Sequence, residues 1–484
     1  MSWARSRRTG LPLALAVAAL TACGTIERAQ GPSDAAVDAA ADASAADAAR
    51  TDALAGEAAI TDAPAGEAAI TDAPVADAAA DAPGGPEGGT ADEGSPFGVV
   101  HLADLCEPAM ADIGFVANWW DQGGSPSSLA STVSAESACG KMEVPLMWTA
   151  PDWNDTQAHI TSAMTDYFSQ NPGVPVWQFG WEENISGRCC SPSQLDTLLE
   201  ELSGVAAARS AAGGSARLAY QIVTTGMADI QAFLASPAAG LVDVLALHPY
   251  DWTEFRTPEV WLATGDPTGV LERVAGWIAT SANPSMAIHL TEVGAPVCDA
   301  PGGCRLDAGG SDVRGQDPEE NAAWMVKVHV LSFSAGVARV LWYQRGFAPD
   351  PVCATGSDPE SCFGMTSAGG PRPVLAAYQT MTRCLAGTSR LPTFSAPQPG
   401  VRAYRFGPSG GGGACTVAWS FDATTSPTLP SGPVIAGVSL GVLAGGATVT
   451  SAVDTTGSAT FCSGAGCAGA SLTLSPAPVF IESD

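Results

Sequence analysis

The chain has 484 residues, a formal net charge of −29 and 46% hydrophobic residues. That length exceeds one typical domain and suits a large domain followed by a smaller one. From residue 96 on the chain is acidic with no basic cluster, which argues strongly against a nucleic-acid partner, whose phosphates need a cationic face.

Arg5, Arg7 and Arg8 precede LPLALAVAAL (11–20), an apolar stretch too short to span a bilayer stably. It runs into Leu20-Thr21-Ala22-Cys23, which resembles a bacterial lipobox. The resemblance implies a signal peptide over 1–23, cleavage before Cys23 and acylation of that residue. Several acyl chains hold a soluble domain at a membrane. The protein is therefore expected to be exported and lipid-anchored to the cell envelope, at the outer membrane or cell surface.

Residues 24–95 hold fifteen acids against two arginines, and TDALAGEAAI (51–60) recurs as TDAPAGEAAI (61–70) before decaying into TDAPVADAAA (71–80). These repeats have almost no large apolar side chains, so burial cannot offset the entropy of ordering them. They read as a self-repelling, extended tether.

From 96 the composition changes. FGVVHL (97–102), FVANWW (115–120), VPLMW (144–148), VPVWQFGW (174–181), LAYQIV (218–223), VDVLALH (242–248), MAIHLTEV (286–293) and ARVLWY (338–343) are mostly continuous apolar runs. Such runs mark strands buried on both faces of a parallel sheet. Helical patterns lie between them, at 155–170, 192–211, 267–282 and 321–336, with a closing helix at 371–387. Eight strand–helix alternations over 96–389 predict a (β/α)₈ TIM barrel. No G-x-G-x-x-G follows the first strand, which argues against a doubly wound sheet. After about 390, RAYRF, CTVAWSF, VIAGVSL, ATVTSAV, ASLTLS and PVFIES predict a small β-sandwich to 484.

In an oxidising compartment the twelve cysteines other than Cys23 are expected to pair. Cys298/Cys304, Cys353/Cys362 and Cys462/Cys467 have the spacing of local loop staples; Cys189 and Cys190 pair with each other or outward. No paired C-x-x-C spacing or H-E-x-x-H occurs, so no metal is expected, and no cofactor.

Barrel enzymes place reactive groups at the C-terminal ends of strands. Here the fourth strand ends in Gly180-Trp181-Glu182-Glu183-Asn184, the sixth in His248-Pro249-Tyr250, the seventh in Thr291-Glu292-Val293-Gly294 and the eighth in Trp342-Tyr343-Gln344. Glu182 and Glu292, three strands apart, face each other across the mouth, as retaining glycoside hydrolysis requires. Burial and mutual repulsion are expected to raise the pKa of the acid and leave the nucleophile ionised. Trp119, Trp148, Trp181 and Trp342 are candidate stacking platforms for sugar C–H faces, and His101 a candidate sugar contact. Trp177, early in its strand, is read as core, Asp152 and Asp251 as loop-capping acids, and His289 as pointing outward toward a helix.

The set of motifs resembles the clan A glycoside hydrolases, particularly the family 39-like barrel-plus-sandwich members. WQFGWEEN (177–184), HPY (248–250), LTEVGA (290–295) and Trp342 match that pattern in order over residues 96–484. The resemblance implies Glu182 as general acid/base, Glu292 as nucleophile, His248 and Tyr250 as substrate contacts, a carbohydrate substrate and a monomeric enzyme. One departure stands out: where the family has Asn before the acid/base, this chain has Trp181, and Glu183 follows. Neighbours on a strand point to opposite sides, so one of the two glutamates faces the cleft, Glu182 by the match to the family and Glu183 in reserve. The alternative reading is accordingly a non-catalytic carbohydrate-binding lipoprotein with a degenerate barrel. A third reading makes the barrel a mere scaffold for adhesion.

Overall fold

The computed structural model describes residues 95–484 apart from 101–105, 112, 121–124, 148–156, 181, 183, 185–188, 252–254, 263–268, 300–302, 309–310, 346–361, 368–369, 392–397, 409–411 and 423–432. The signal, Cys23 and tether expectations therefore lie outside the described residues. Among the described residues no helix is long and apolar enough to cross a membrane.

Eight parallel strands close into a barrel: β1 (Phe97–Val100), β2 (Phe115–Trp120), β3 (Met142–Met147), β4 (Val176–Phe179), β5 (Arg217–Val223), β6 (Val244–His248), β7 (Ala287–Val293) and, beyond the hairpin β8 (Cys304–Ala308) and β9 (Ser311–Gly315), β10 (Arg339–Trp342). Each of the eight apolar runs contributes one of these strands. Around them stand α1 (Pro126–Ala138), α2 (Gln157–Gln170), α3 (Pro192–Ala211), α4 (Met227–Ala235), the short α5 (Pro258–Trp261), α6 (Val270–Ile278), α7 (Pro318–Ser334) and α8 (Pro373–Leu385). Local chemistry starts these helices. Ser191 and Gln194 form a capping box ahead of Pro192, and Asp317 Oδ1 accepts from the Glu320 amide at 2.8 Å ahead of Pro318.

Strand register decides which side chains reach the barrel axis. Phe97 packs on Phe333 and Tyr378 of the helix layer, so it faces outward; its neighbour Val340, and Leu290 beside Val340, share that face. By alternation His289, Ala246 and Gln221 line the interior. His289 thus points inward rather than toward a helix. It sits beside Arg339, whose guanidinium lies 3.7 Å from the Phe115 ring centre, and burial with Arg339 and Arg217 nearby pushes its pKa well below the ordinary range. Trp177 is fully buried against Tyr167 and Phe168, as a core residue.

A two-residue hairpin, β11 (Thr366–Ser367) with β12 (Gly370–Pro371), leads into α8. The C-terminal unit then pairs a six-stranded antiparallel sheet with a two-stranded one. The larger sheet runs β13 (Ser389–Arg390), β14 (Val401–Gly407), β15 (Ala414–Ser420), β20 (Val479–Ser483), β17 (Val449–Val453), β18 (Thr460–Ser463). The smaller joins β16 (Ile435–Ser439) to β19 (Ser471–Leu474), with one short helix, α9 (Leu440–Leu443), between β16 and β17. Val401, Ala418, Leu440, Leu474 and Ile481 form the buried layer of this sandwich.

A disulfide from Cys384 of α8 to Cys415 of β15 links barrel to sandwich, and Cys106–Cys139 ties the segment after β1 to the end of α1. The local pairs Cys298–Cys304 and Cys462–Cys467 are formed as their spacing predicts, and Cys189 pairs with Cys190. Cys362 is disulfide-bonded, while Cys353 lies outside the described residues.

The two units also share a buried ionic centre. Glu259 of α5 accepts from Lys327 Nζ at 2.9 Å, from the Thr257 hydroxyl and from the indole N–H of Trp419 on β15. Burial pushes the Glu259 carboxyl up, but Lys327 and Thr257 outweigh it and hold the pKa below its usual value. Removing one partner leaves an uncompensated buried charge, costing about 3–5 kcal/mol. Lys327→Met is therefore expected to lower unfolding stability by about that amount in a denaturant titration. Lys327→Met with Glu259→Gln is expected to cost less than Lys327→Met alone.

Candidate functional site

The site is built where four strands end. On β7, Leu290 pairs with Val340 but Val293 pairs with Trp342, so β7 has one residue more than β10 over that span. Leu290 faces outward, and plain alternation would carry Glu292 outward too. The bulge reverses the parity and turns Glu292 into the mouth. Beyond it, Gly294 is required by space: a Cβ there would meet the Tyr343 carbonyl oxygen at 1.9 Å. On β4, Gly180 and Glu182 both take left-handed backbone, with φ of 75° and 47°. On β6, His248 is the last residue of an inward-facing row.

These turns bring four predicted residues together. His248 Nδ1 lies 3.3 Å from Glu182 Oε1 and 3.7 Å from Glu292 Oε2. The Tyr250 hydroxyl donates to Glu292 Oε1 at 2.7 Å. One oxygen of each carboxylate and one ring nitrogen of His248 all lie within 4.8 Å of one another. Among the described residues this trio is also the set whose donor atoms converge as metal ligands would.

Burial raises the pKa of Glu292, and the negative charge of Glu182 adds to that rise; His248 and the Tyr250 hydrogen bond oppose it. The expectation that Glu292 would keep an ordinary, ionised carboxylate is therefore corrected: its burial pushes the pKa up.

The remaining candidates divide. Trp342 is 1% exposed and packs on Trp324 and His329 of α7, so it faces the helix layer and is no sugar platform. Its expected role is corrected by strand parity: Trp342 shares its face with outward Val340. The next residue, Tyr343, instead joins Phe363, which meets the Tyr250 ring edge-on at 6.2 Å. Trp181, Trp148 and His101 lie outside the described residues, and Trp119 is fixed only as the backbone partner of Leu146. Asp251 is a loop cap, accepting from the Arg256 backbone at 2.8 Å and from its guanidinium. Two residues at the site escape sequence reasoning: Phe363, which has no motif, and Gln221, whose place on the inner row of β5 follows only from register.

No family model matches the chain, and no curated protein matches it. Among solved structures it is similar to a glucosidase from Croceicoccus marinus, at 12% identity over 80% of this chain and 96% of that one, with a TM-score of 0.51. It is also similar to a GH39 β-xylosidase from Caulobacter crescentus, at 12% identity over 81% and 96%, with a TM-score of 0.48. At such identity the first likeness establishes the fold: a TIM barrel followed by a β-sandwich, an architecture found in glycosidases.

The hydrogen bond from Tyr250 stabilises the charged form of Glu292. Tyr250→Phe is therefore expected to raise the Glu292 titration midpoint further, as read by carboxyl ¹³C NMR across pH. An unchanged or lowered midpoint would show that the hydroxyl does not hold this carboxylate.

Proposed function

We propose that the protein is a retaining glycoside hydrolase acting on a β-linked glycan or glycoside, displayed at the cell envelope on a lipid tether acylated at Cys23. The observation behind this reading is the pair of carboxylates at one barrel mouth, with oxygens within 4.8 Å. Retaining enzymes need a separation of about 5–5.5 Å, against about 6.5–9.5 Å for inverting ones.

In the proposed reaction Glu292 attacks the anomeric carbon while Glu182 gives its proton to the departing glycosidic oxygen. The C–O bond to the leaving group breaks as the ester to Glu292 forms. Glu182, now a carboxylate, then takes a proton from water as that water displaces Glu292. Tyr250 keeps a donor on the nucleophile, which favours its ionised form, and His248 stands between the two acids with its Nδ1 toward both. Apolar burial around Glu292 strengthens each of these interactions.

Because Glu292 must be ionised to attack and burial raises its pKa, the acidic limb of kcat/KM is expected above the usual carboxylate range. Glu292→Gln is expected to lower kcat by roughly 10³-fold or more with the fold kept and an unfolding midpoint no lower than that of the wild type. Glu292→Gly with added azide is expected to recover part of the rate by supplying the missing nucleophile. Wild-type protein that turns over no member of a broad aryl-glycoside and polysaccharide panel would sink the enzyme reading. Trp181 in place of the family's Asn favours the second reading, a carbohydrate binder without chemistry, and oligosaccharide affinity with no hydrolysis would select it.

A further inference from the structure

We propose that β5 fixes the general acid/base: Gln221 and Asn184 are positioning residues that hold Glu182 over Glu292. The inference rests on the hydrolase reading and extends it to residues that touch neither sugar nor reacting atoms.

Glu182 has a φ of 47°, the left-handed region that a residue with a side chain disfavours. Such a conformation persists only where its surroundings hold it. Two contacts do so here, both made to β5. The Glu182 backbone N–H donates to Gln221 Oε1. Two residues further on, Asn184 Nδ2 donates to the Val223 carbonyl at 2.9 Å, and its Oδ1 accepts from the Val223 amide at 3.0 Å. The Asn184 side chain thus imitates one more step of strand pairing beyond the end of β4. Gly226 leaves room for it, since a Cβ there would lie 2.6 Å from Asn184 Nδ2.

The chemistry of Gln221 points the same way. Its side chain is fully buried on the inner face of β5, and its Nε2 has no hydrogen-bond partner among the described residues. An apolar side chain of similar length would fill the same space. What an apolar side chain lacks is the oxygen that receives Glu182. The amide is explained by positioning and not by packing.

The test exploits leaving-group chemistry. A phenyl leaving group needs the proton from Glu182, whereas 2,4-dinitrophenolate departs without it. The panel comprises phenyl and dinitrophenyl β-D-glucosides, xylosides and galactosides, assayed with the full chain. Gln221→Met is expected to lose about 10- to 100-fold in kcat/KM on the phenyl glycoside and about threefold or less on the dinitrophenyl one. Equal losses on both would overturn the proposal, because a merely structural defect does not sort substrates by leaving group. Asn184→Ala, at a half-buried loop position, should give the same selective pattern and serves if Gln221→Met does not fold. A second measurement is independent of turnover. Glu182 raises the Glu292 titration midpoint, so a displaced Glu182 should let that midpoint fall in Gln221→Met or Asn184→Ala, read by ¹³C NMR. A midpoint unchanged in both variants overturns the positioning role. If the wild type hydrolyses nothing on the panel, the hydrolase reading fails on its own, and the titration still decides whether β5 holds Glu182.

Discussion

Two carboxylates with oxygens inside 4.8 Å, both largely buried, repel each other strongly when both are ionised unless something holds them. The rest of the site follows from that repulsion. His248 presents Nδ1 to both acids, and Tyr250 spends its hydroxyl proton on Glu292. The Tyr250 ring is braced by Phe363, which in turn meets Tyr343 and Phe255, so the donor cannot swing away without disturbing an aromatic cluster. The barrel supplies the frame and this small group of neighbours supplies the electrostatics.

The frame itself is set by parity. In a strand whose side chains alternate, one inserted residue exchanges inside for outside, and the bulge in β7 does this just before Glu292. The same bookkeeping places His248 and Gln221 inward and sends Trp342 outward to the helices. At the opposite end of the interior stand Arg339 and His289. The barrel therefore has Arg339, His289 and the Phe115 ring at its base and the two carboxylates at its mouth.

Much of this was legible in the residues. Continuous apolar runs are what a strand buried on both faces needs, and all eight became barrel strands, with the boundaries of α3 matching its helical pattern at 192–211. Glu182, His248, Tyr250 and Glu292 were legible because polar groups closing buried strands have no packing purpose. Trp342 was misread because a strand-end position says nothing of inside or outside until register is known. The hairpin β8–β9 also went unread: its charged residues break the apolar pattern that marked the barrel strands. Gln221 and Phe363 act through geometry across elements far apart in sequence, which one-dimensional pattern cannot reach. The inward turn of Glu292, whose burial raises its pKa, likewise depends on the bulge and not on any motif.

The choice between an enzyme and a binder that has lost its chemistry turns on cost. A sugar-binding surface needs flat apolar faces and hydrogen-bonding groups; it does not need two acids forced together in a poorly solvated mouth. Nor does it need a glutamate in left-handed backbone, disfavoured by about 1–3 kcal/mol, or a buried glutamine whose oxygen receives that glutamate's backbone N–H. Each of these features opposes stability. Glycine in place of Glu182 would relieve the repulsion and the strain together and leave His248 and Tyr250 to meet a ligand. A binder gains nothing from keeping the arrangement, whereas double displacement requires both acids at this spacing. Trp181 in place of asparagine removes one substrate hydrogen bond from the family pattern; it leaves the pair of acids, and hence the argument for chemistry, where it stood.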